Sequence, residues 1–195
     1  MMKLMRLFVP LCVSAVLLTA GETIPAQPRS FAIDPAQTKV EFTLGSLLHT
    51  VHGEFHLKRG NLRFDPQNGK ASGELVVDAT SGESGSTGRD KKMHASILES
   101  AKYPEIAFRP DRVDGKVAAE GKSQVQLHGV FAIHGVEHEI LLPVTVEAHG
   151  GEYKVLGIFE VPYVKWGMKN PSTLMLRVDD KVQISIQTVA HIQGD

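Results

Sequence analysis

The stretch Thr38-Lys39-Val40-Glu41-Phe42-Thr43-Leu44 decides the fold of this chain of 195 residues. Its apolar residues, Val40, Phe42 and Leu44, occupy every second position, which is typical of a strand with one buried face. The same alternation recurs along the chain and predicts a series of strands after a short leader at residues 27–29. It is carried by Val51, Phe55, Leu57, Leu62, Phe64, Leu75, Val77, Ile106, Phe108, Val125, Leu127, Phe131, Ile133, Ile140, Leu142, Val144, Val146, Val155, Phe159, Val161, Leu174, Leu176, Val178, Val182, Ile184 and Ile186.

Turn residues separate these runs. The residues Asp65-Pro66-Gln67-Asn68-Gly69 predict a tight turn and a hairpin, because proline presets φ and Asn-Gly tolerates positive φ. Short connections of this kind would join about eight to ten antiparallel strands. Closure into a barrel protects the edges of such a sheet most completely. We therefore predict a mainly all-β fold, an antiparallel β-barrel of about eight strands.

One segment departs from the alternation. Residues 89–100 follow the Gly/Ser-rich residues 81–88 and contain Met93 and Ile97, four positions apart. That spacing places apolar side chains on one side of a helix. The pair Tyr103-Pro104 ends the segment, since the residue before a proline is disfavoured in helical conformation. The pattern predicts one short helix from Arg89 to Ser100.

The first 26 residues have the pattern of a secretory signal peptide. Lys3 and Arg6 precede an apolar stretch over residues 7–18, and small or polar residues follow it. An apolar stretch of about 12 residues is too short for a transmembrane helix, which needs roughly 20. We expect cleavage between Ala20 and Ala26, which removes Cys12 and leaves one domain, residues 27–195, with no stable membrane span. The expected location is periplasmic or secreted.

The composition argues against several classes of function. Basic and acidic residues number 21 and 22, so no basic field predicts a nucleic-acid partner. The sequence contains no G-x-S-x-G elbow, phosphate-binding glycine loop with lysine, dinucleotide fingerprint or H-E-x-x-H motif. We therefore predict no catalytic residue and no cofactor, and the oligomeric state is left open.

Histidines are the residues that could bind a metal. His49, His52 and His56 lie near one predicted strand, and His134 and His138 flank a turn. Imidazoles in such an arrangement suit zinc or copper. His52 and His56, however, alternate with the apolar residues of their strand, so they are expected to point into solvent. A metal-binding protein that uses surface histidines stays open as an alternative, with no metal ligand assigned.

The apolar interior of the barrel is the stronger candidate site. An eight-stranded barrel is wide enough either to be filled by side chains or to hold one small ligand. Because each buried methylene contributes about 0.8 kcal/mol, burial alone could hold a long hydrocarbon. The residues predicted to line such a cavity are Val40, Phe42, Leu44, Phe55, Leu57, Leu62, Phe64, Leu75, Val77, Met93, Ile97, Ile106, Phe108, Leu127, Phe131, Ile133, Leu142, Val144, Phe159, Leu176 and Ile184.

Several short motifs occur in a fixed order along the chain. They include Phe31-Ala32-Ile33-Asp34-Pro35, Val51-His52-Gly53-Glu54-Phe55, Gly60-Asn61-Leu62-Arg63-Phe64-Asp65-Pro66, Arg89-Asp90-Lys91-Lys92-Met93-His94, Lys102-Tyr103-Pro104-Glu105-Ile106-Ala107-Phe108 and Ile133-His134-Gly135-Val136. Together they resemble the YceI-like family over residues 31–190. The resemblance implies an exported, lipocalin-like antiparallel barrel whose apolar cavity binds a polyisoprenoid or similar amphiphile. It implies no catalytic residues.

Polar residues near the predicted helix are expected at the rim of the cavity, where a ligand head group would lie. These rim residues are Arg89, Lys92, His94, Tyr103 and Trp166. Cations would attract an anionic head group, and Tyr103 combines an apolar ring with a polar tip. Arg89 could instead act with Asp90 as a structural pair at the helix start, and Trp166 could plug an end of the barrel.

These observations predict an exported, non-enzymatic protein that binds a polyisoprenoid or similar long-chain amphiphilic lipid in an apolar barrel cavity. Two alternatives stay open. One is the periplasmic metal-binding protein described above. The other is an enzyme that acts on an isoprenoid- or quinone-type substrate, which would need a strongly perturbed carboxylate or histidine inside the barrel.

Overall fold

The computed structural model describes residues 27–193, which contain nine strands and three short helical segments. The strands are β1 (Arg29–Ile33), β2 (Lys39–Leu44), β3 (Val51–Phe64), β4 (Ala71–Glu83), β5 (Glu105–Asp114), β6 (Gly121–Ile133), β7 (Val136–His149), β8 (Glu152–Val161) and β9 (Val182–Ile192). The helical segments are a 3₁₀ turn (Pro35–Gln37), the helix α1 (Thr87–Lys92) and a π-helical segment (Met93–Ile97) that continues α1. The predicted signal peptide, with Cys12, lies outside the described residues.

Eight strands form a closed antiparallel barrel, and this confirms the predicted fold. Around the barrel they follow the order β2, β9, β8, β7, β6, β5, β4 and β3, and β3 returns to β2. Each neighbouring pair is antiparallel. The alternating apolar side chains point inward and form one core, in which Val40, Phe42 and Phe55 are buried. Closure removes the free edges that an open sheet would expose.

The strand β1 was not predicted, and it shares one position in the barrel with β2. β2 pairs with residues 51–55 of β3 and residues 183–187 of β9. β1 pairs with residues 61–64 of β3 and residues 190–192 of β9, further along the same gap. The 3₁₀ turn separates the two short strands. Arg29, predicted to end a leader, therefore begins a strand.

The hairpin between β3 and β4 forms as predicted. The Gly69 N–H donates to the Asp65 carbonyl oxygen at 2.9 Å, and the Gln67 N–H donates to the Asp65 carboxylate at 2.9 Å. Gly69 has a φ of 72°, which only glycine adopts readily. The residues of this segment therefore form the tight turn that the sequence predicts, with Gly69 at positive φ.

A β-bulge in β3 changes which positions face the interior. Leu57 pairs with Val77, and Arg59 pairs with Val76. Two steps along β3 therefore match one step along β4, and β3 contains one extra residue at this point. The extra residue shifts the inward positions of β3 from odd to even numbers. Leu62 consequently packs against the core on the same side as Leu57, although five positions separate them.

Two predicted elements require correction. The predicted helix Arg89–Ser100 begins earlier, at Thr87, and its α-helical part ends at Lys92, after which the backbone widens into the π-helical segment. The predicted strand at Leu174, Leu176 and Val178 is a loop. Only Val178 forms an isolated bridge, with Ser46. Alternation over five residues is too short to distinguish a strand from a loop that turns alternate side chains inward.

The antiparallel order brings four connections to one end of the barrel, which we call the mouth end. These connections are residues 45–50, 84–104, 134–135 and 162–181. The short turns at residues 65–70, 115–120 and 150–151 lie at the opposite end. Within residues 27–193, every helix is too short or too polar to cross a bilayer.

Candidate functional site

A cavity of about 400 Å³ occupies the barrel next to the mouth end. Its wall consists of apolar side chains from seven of the eight barrel strands. These are Val40, Phe42, Leu44, Val51, Phe55, Val77, Ile106, Phe131, Ile133, Phe159, Val161, Val182, Ile184 and Ile186. Pockets for small ligands span roughly 300–1,000 Å³. The cavity therefore has the size and chemistry to accept a hydrocarbon chain.

Two segments at the mouth end cover part of this cavity and form a lid. The helical segment contributes Met93, Ile97 and Leu98, and the β8–β9 connection contributes Tyr163, Met168, Pro171, Leu176 and Val178. Leu98, Tyr163 and Met168 are buried. The lid thus continues the apolar surface of the wall.

His94 fixes the helical part of the lid to the barrel wall. Its Nε2 lies 2.8 Å from the Gly82 carbonyl oxygen on β4, and its Nδ1 lies 3.0 Å from the Ser100 hydroxyl. A carbonyl oxygen can only accept, so we assign the proton to Nε2 and let Nδ1 accept from Ser100. His94 thereby positions its neighbour Met93, which lines the cavity.

Arg89 and Asp90 hold Ser84 at the start of the helical segment. Arg89 donates from Nε to the Ser84 hydroxyl and from Nη2 to its carbonyl oxygen, both at 2.7 Å. Asp90 accepts from the Ser84 N–H at 3.0 Å and from its hydroxyl. The hydrogen bonds of Arg89 and Asp90 at this point therefore converge on Ser84, and Arg89 also borders the cavity.

The polar groups of the cavity lie at its opening. They belong to Ser46, His49, Ser84, Arg89 and Lys92. Two of these side chains are cations, so an anionic group at the opening would be attracted while an attached hydrocarbon lies inside. The arrangement suits an amphiphile, with its polar end outward.

Tyr163 anchors the β8–β9 connection. Its hydroxyl donates to the Asp179 carbonyl oxygen at 2.6 Å. Burial, together with the nearby carboxylates of Asp180 and Asp179, raises the pKa of Tyr163 to about 12. The phenol of Tyr163 is therefore neutral in the folded protein at physiological pH.

Trp166 closes the barrel beside β7. Its indole stacks on the His138 imidazole with ring centroids 3.9 Å apart and planes 6° apart, and lies 5.9 Å from the Phe131 ring. The His138 Nε2 is buried and has no hydrogen-bond partner among residues 27–193. Burial lowers the pKa of His138, because it disfavours the imidazolium. Trp166 therefore occupies the position of a plug.

The structure divides the predicted lining residues into two groups. Those that border the cavity are Val40, Phe42, Leu44, Phe55, Val77, Met93, Ile97, Ile106, Phe131, Ile133, Phe159, Leu176 and Ile184. Those that lie elsewhere are Leu57, Leu62, Phe64, Leu75, Phe108, Leu127, Leu142 and Val144. Apart from Phe64, the side chains of the second group belong to the apolar core or pack against it, so their contact with a ligand stays a prediction. The Phe108 ring, for example, fills space that the absent side chain of Gly129 leaves.

The predicted rim residues divide in the same way. Arg89 and Lys92 border the cavity, whereas His94, Tyr103 and Trp166 do not. Tyr103 packs on the His134 ring, with centroids 4.6 Å apart. These three side chains support the segments around the opening, and their contact with a head group stays a prediction.

Several lining residues were not predicted. Those on strands, such as Val161, Val182 and Ile186, carry the alternation and could have been included. Those on connections are Gly45, Ser46, His49, Ser84, Leu98, Tyr163, Met168, Pro171 and Val178. Val178 carries the alternation of its segment, whereas for the other residues of these connections the irregular backbone has no period that marks the inward side.

The histidines do not converge on a single site. His52 and His56 are exposed, as predicted. His134 lies 3.0 Å from a carboxylate oxygen of Glu99. Within the described residues, the group with the geometry for a metal ion is Glu54, His56 and Glu83, whose ligand atoms lie within 4.8 Å of one another on the outer surface. This group includes one, His56, of the five histidines that the sequence analysis named as possible metal ligands.

Comparisons with known proteins agree with this fold. The sequence profile of the YceI-like domain matches residues 31–190. No curated protein matches the chain.

Three solved structures illustrate the similarity. BcnA of Burkholderia cenocepacia is 20% identical with a TM-score of 0.67, covering 80% of this chain and 98% of BcnA. A polyisoprenoid-binding domain of Saccharophagus degradans, implicated in plant cell wall breakdown, is 14% identical with a TM-score of 0.66, covering 84% and 99%. The YceI protein of Campylobacter jejuni is 16% identical with a TM-score of 0.60, covering 76% and 88%. Identities this low establish a shared fold alone.

Proposed function

The chain belongs to the YceI-like domain family, and on that premise we propose that it is an exported, non-catalytic protein that binds a polyisoprenoid or similar long-chain amphiphile. The hydrocarbon lies in the barrel cavity, and the polar end lies at the mouth. The processed protein is periplasmic or secreted, as the pattern of its first 26 residues indicates.

The observation that carries this proposal is the contrast between the wall and the opening of the cavity. The wall and lid present valine, leucine, isoleucine, methionine and phenylalanine side chains, while Arg89 and Lys92 stand at the opening. Each methylene transferred from water to such a wall gains about 0.8 kcal/mol. A long hydrocarbon therefore binds through its tail, and the cations select a ligand with a polar or anionic end.

The choice of an isoprenoid has support from a structural neighbour. The Saccharophagus degradans domain, which shares the fold, is described as polyisoprenoid-binding. A branched isoprenoid chain also suits a wall rich in branched and aromatic side chains. Straight acyl chains meet the same apolar requirement, so the experiment must compare both.

A binding role is favoured over catalysis by the residues that a ligand would contact. The lining residues among 27–193 include no carboxylate, and the imidazole of His49 lies at the opening. Acid–base catalysis most often uses a carboxylate or an imidazole at the reacting atoms, and two other titratable side chains of the lining, Tyr163 and Lys92, donate to carbonyl oxygens of the lid.

Mass spectrometry of organic extracts tests the proposal. Protein purified from its native host without detergent is expected to release a prenyl or acyl lipid in stoichiometric amount. The purified protein is also expected to take up fluorescent prenyl or acyl probes from solution. Extracts that are repeatedly empty, together with no uptake of either probe, would overturn the proposal.

A matched pair of variants locates the bound chain. Ile184 faces the cavity, whereas the adjacent Gln183 on β9 is exposed. Ile184→Trp fills part of the cavity and is expected to reduce probe uptake at least tenfold, while Gln183→Trp keeps it. Overpacking costs about 1–3 kcal/mol, so circular dichroism must show that both variants fold. Equal uptake by folded Ile184→Trp and Gln183→Trp would exclude this cavity as the binding site.

A further inference from the structure

The most exposed apolar side chains of the described residues surround the opening of the cavity. Leu47 and Leu48 are 71% and 73% exposed, Met175 is 89% exposed and Leu174 is fully exposed. Leu47 and Leu48 lie on the β2–β3 connection, and Leu174 and Met175 lie on the β8–β9 connection. We call these four residues the apolar tips. Large apolar side chains exposed together mark an interaction surface.

The two connections that carry the apolar tips are joined to each other. The Leu47 N–H donates to the Arg177 carbonyl oxygen at 3.0 Å, and Ser46 forms an antiparallel bridge with Val178. Ser46 and Val178 also line the cavity. The apolar tips therefore form the outer border of the same opening through which a ligand would enter.

The mouth end is cationic, although the whole chain has a net charge of −1. Its connections carry the basic residues Arg89, Lys91, Lys92, Lys102, Lys165, Lys169, Arg177 and Lys181 and the acidic residues Asp90, Glu99, Asp179 and Asp180. Two of the acidic groups, Asp90 and Glu99, are hydrogen-bonded to Ser84 and His134. Lys181 is paired with Glu160 at 3.1 Å, and the remaining excess of positive charge beside the opening would attract an anionic surface.

We propose that the mouth end docks on an anionic phospholipid bilayer, with the apolar tips inserted at the boundary between head groups and acyl chains. Apolar side chains that enter this boundary, flanked by basic residues that meet anionic head groups, are the general means by which proteins bind a membrane surface. In this orientation the opening faces the lipid. The proposal rests on the proposed function, since it supplies the route by which a membrane lipid reaches the cavity.

A protein partner is less well matched to this surface. Protein interfaces are enriched in tyrosine, tryptophan and phenylalanine, and charged residues are depleted at their centres. The apolar tips are three leucines and one methionine on two loops, with Arg177 two residues from Met175. Flexible aliphatic tips next to cations suit a fluid surface better than a fixed one.

Sedimentation with vesicles tests the docking. Phosphatidylcholine vesicles that contain phosphatidylglycerol are expected to bind the protein, and binding should weaken in pure phosphatidylcholine and at high salt. The double variant Leu174→Ser and Met175→Ser is expected to bind about tenfold more weakly or worse, because two apolar side chains that would insert into the bilayer are lost. The control is Leu141→Ser and Ile158→Ser, which removes apolar side chains exposed on the barrel wall and should leave binding unchanged. All samples carry the same N-terminus, verified by intact mass.

A fluorescent reporter tests the orientation. The chain has one tryptophan, so Trp166→Phe gives a background without indole fluorescence. In that background, the tryptophan emission of Leu174→Trp is expected to shift to shorter wavelength when vesicles are added, and brominated phospholipids should quench it. The emission of Leu141→Trp should show neither effect. Quenching at position 141 but not at position 174 would overturn the proposed orientation.

The possible results separate this proposal from the proposed function. Probe uptake from solution, without vesicles, reports on the cavity, and the double variant at positions 174 and 175 should retain it. Vesicle binding without uptake would support the docking and contradict the lipid-binding function. Uptake without vesicle binding would overturn the docking alone. Self-association or binding to a protein that the same double variant abolishes, with no vesicle binding, would assign the apolar tips to a protein interface and also overturn the docking.

Discussion

The ammonium group of Lys92 donates a hydrogen bond to the carbonyl oxygen of Pro171 across the mouth of the cavity, at 3.0 Å. Lys92 ends α1, and Pro171 belongs to the β8–β9 connection, so this contact joins the two parts of the lid. Both residues also line the cavity. A ligand that passes between the two segments must separate them, and this hydrogen bond opposes that separation.

Removal of this contact is expected to speed exchange at the mouth. In Lys92→Ala, amide hydrogen exchange in residues 169–178 and release of a bound fluorescent probe should both accelerate severalfold. The free energy of unfolding should change by no more than about 0.5 kcal/mol, because the site is at the surface. The control is Lys91→Ala on the same helix. Equal exchange rates in both variants and the native protein would show that the contact does not restrain the lid.

Two glycines near the lid are expected to respond to alanine in opposite directions. A Cβ at Gly82 would overlap the Phe55 ring and lie 2.9 Å from Met93 Cε, whereas a Cβ at Gly88 would have no described atom within 4 Å. Gly82→Ala should therefore destabilise the protein by about 1–3 kcal/mol through overpacking. Gly88→Ala should stabilise it by about 0.5–1 kcal/mol, because Gly88 lies in α1. Urea denaturation measures both, and a destabilised Gly88→Ala would contradict the open position of this residue.

The partly buried imidazole of His138 should make stability depend on pH. Its pKa in the folded protein lies below the ordinary value of 6.5, so the unfolded chain binds the proton more readily. The free energy of unfolding should therefore fall as the pH decreases below about 6.5 and level off once the folded form is also protonated. His138→Phe should reduce this slope and stabilise the protein by about 1 kcal/mol, because it removes an unpaired buried nitrogen.

Urea denaturation at several pH values, followed by the fluorescence of Trp166, measures this effect. The control is His149→Phe, which replaces a histidine whose side chain is 95% exposed. If His138→Phe has the same pH slope as the native protein, the stacked imidazole is not the titrating group.

The wall of the cavity was predictable from the sequence because burial of one strand face imposes a period of two. Phe42, Phe131 and Ile184 were identified in this way. The pattern could not show how deep each inward residue lies. Phe108 and Leu142 alternate as regularly as Phe131, yet they pack outside the cavity, since the same period continues through both halves of the barrel.

The lid and the first strand were beyond this reasoning. Tyr163 and Met168 belong to an irregular connection, where no period marks the inward side. β1 forms because it pairs with strands that lie about 30 and 160 positions away along the chain. Pairing between such distant segments gives no recognisable pattern in the sequence of β1 itself. Leu174 alternates with Leu176 and Val178 in the β8–β9 connection, so this loop has the pattern of a strand.

The contribution of Tyr163 to the stability of the lid can be tested at alkaline pH. The pKa of its phenol is raised from 10.0 to about 12 in the folded protein, chiefly by burial. The stability that this neutral phenol contributes is fully present below pH 10 and is lost as the pH rises from about 10 to 12, because the unfolded chain ionises first. In Tyr163→Phe this loss disappears, while the missing hydrogen bond to the Asp179 carbonyl oxygen lowers stability at neutral pH by about 1 kcal/mol. Ultraviolet titration of the three tyrosines should show one late ionisation near pH 12 that is absent from Tyr163→Phe and retained in Tyr103→Phe. A late component that survives in Tyr163→Phe would mean that another phenol is the buried one.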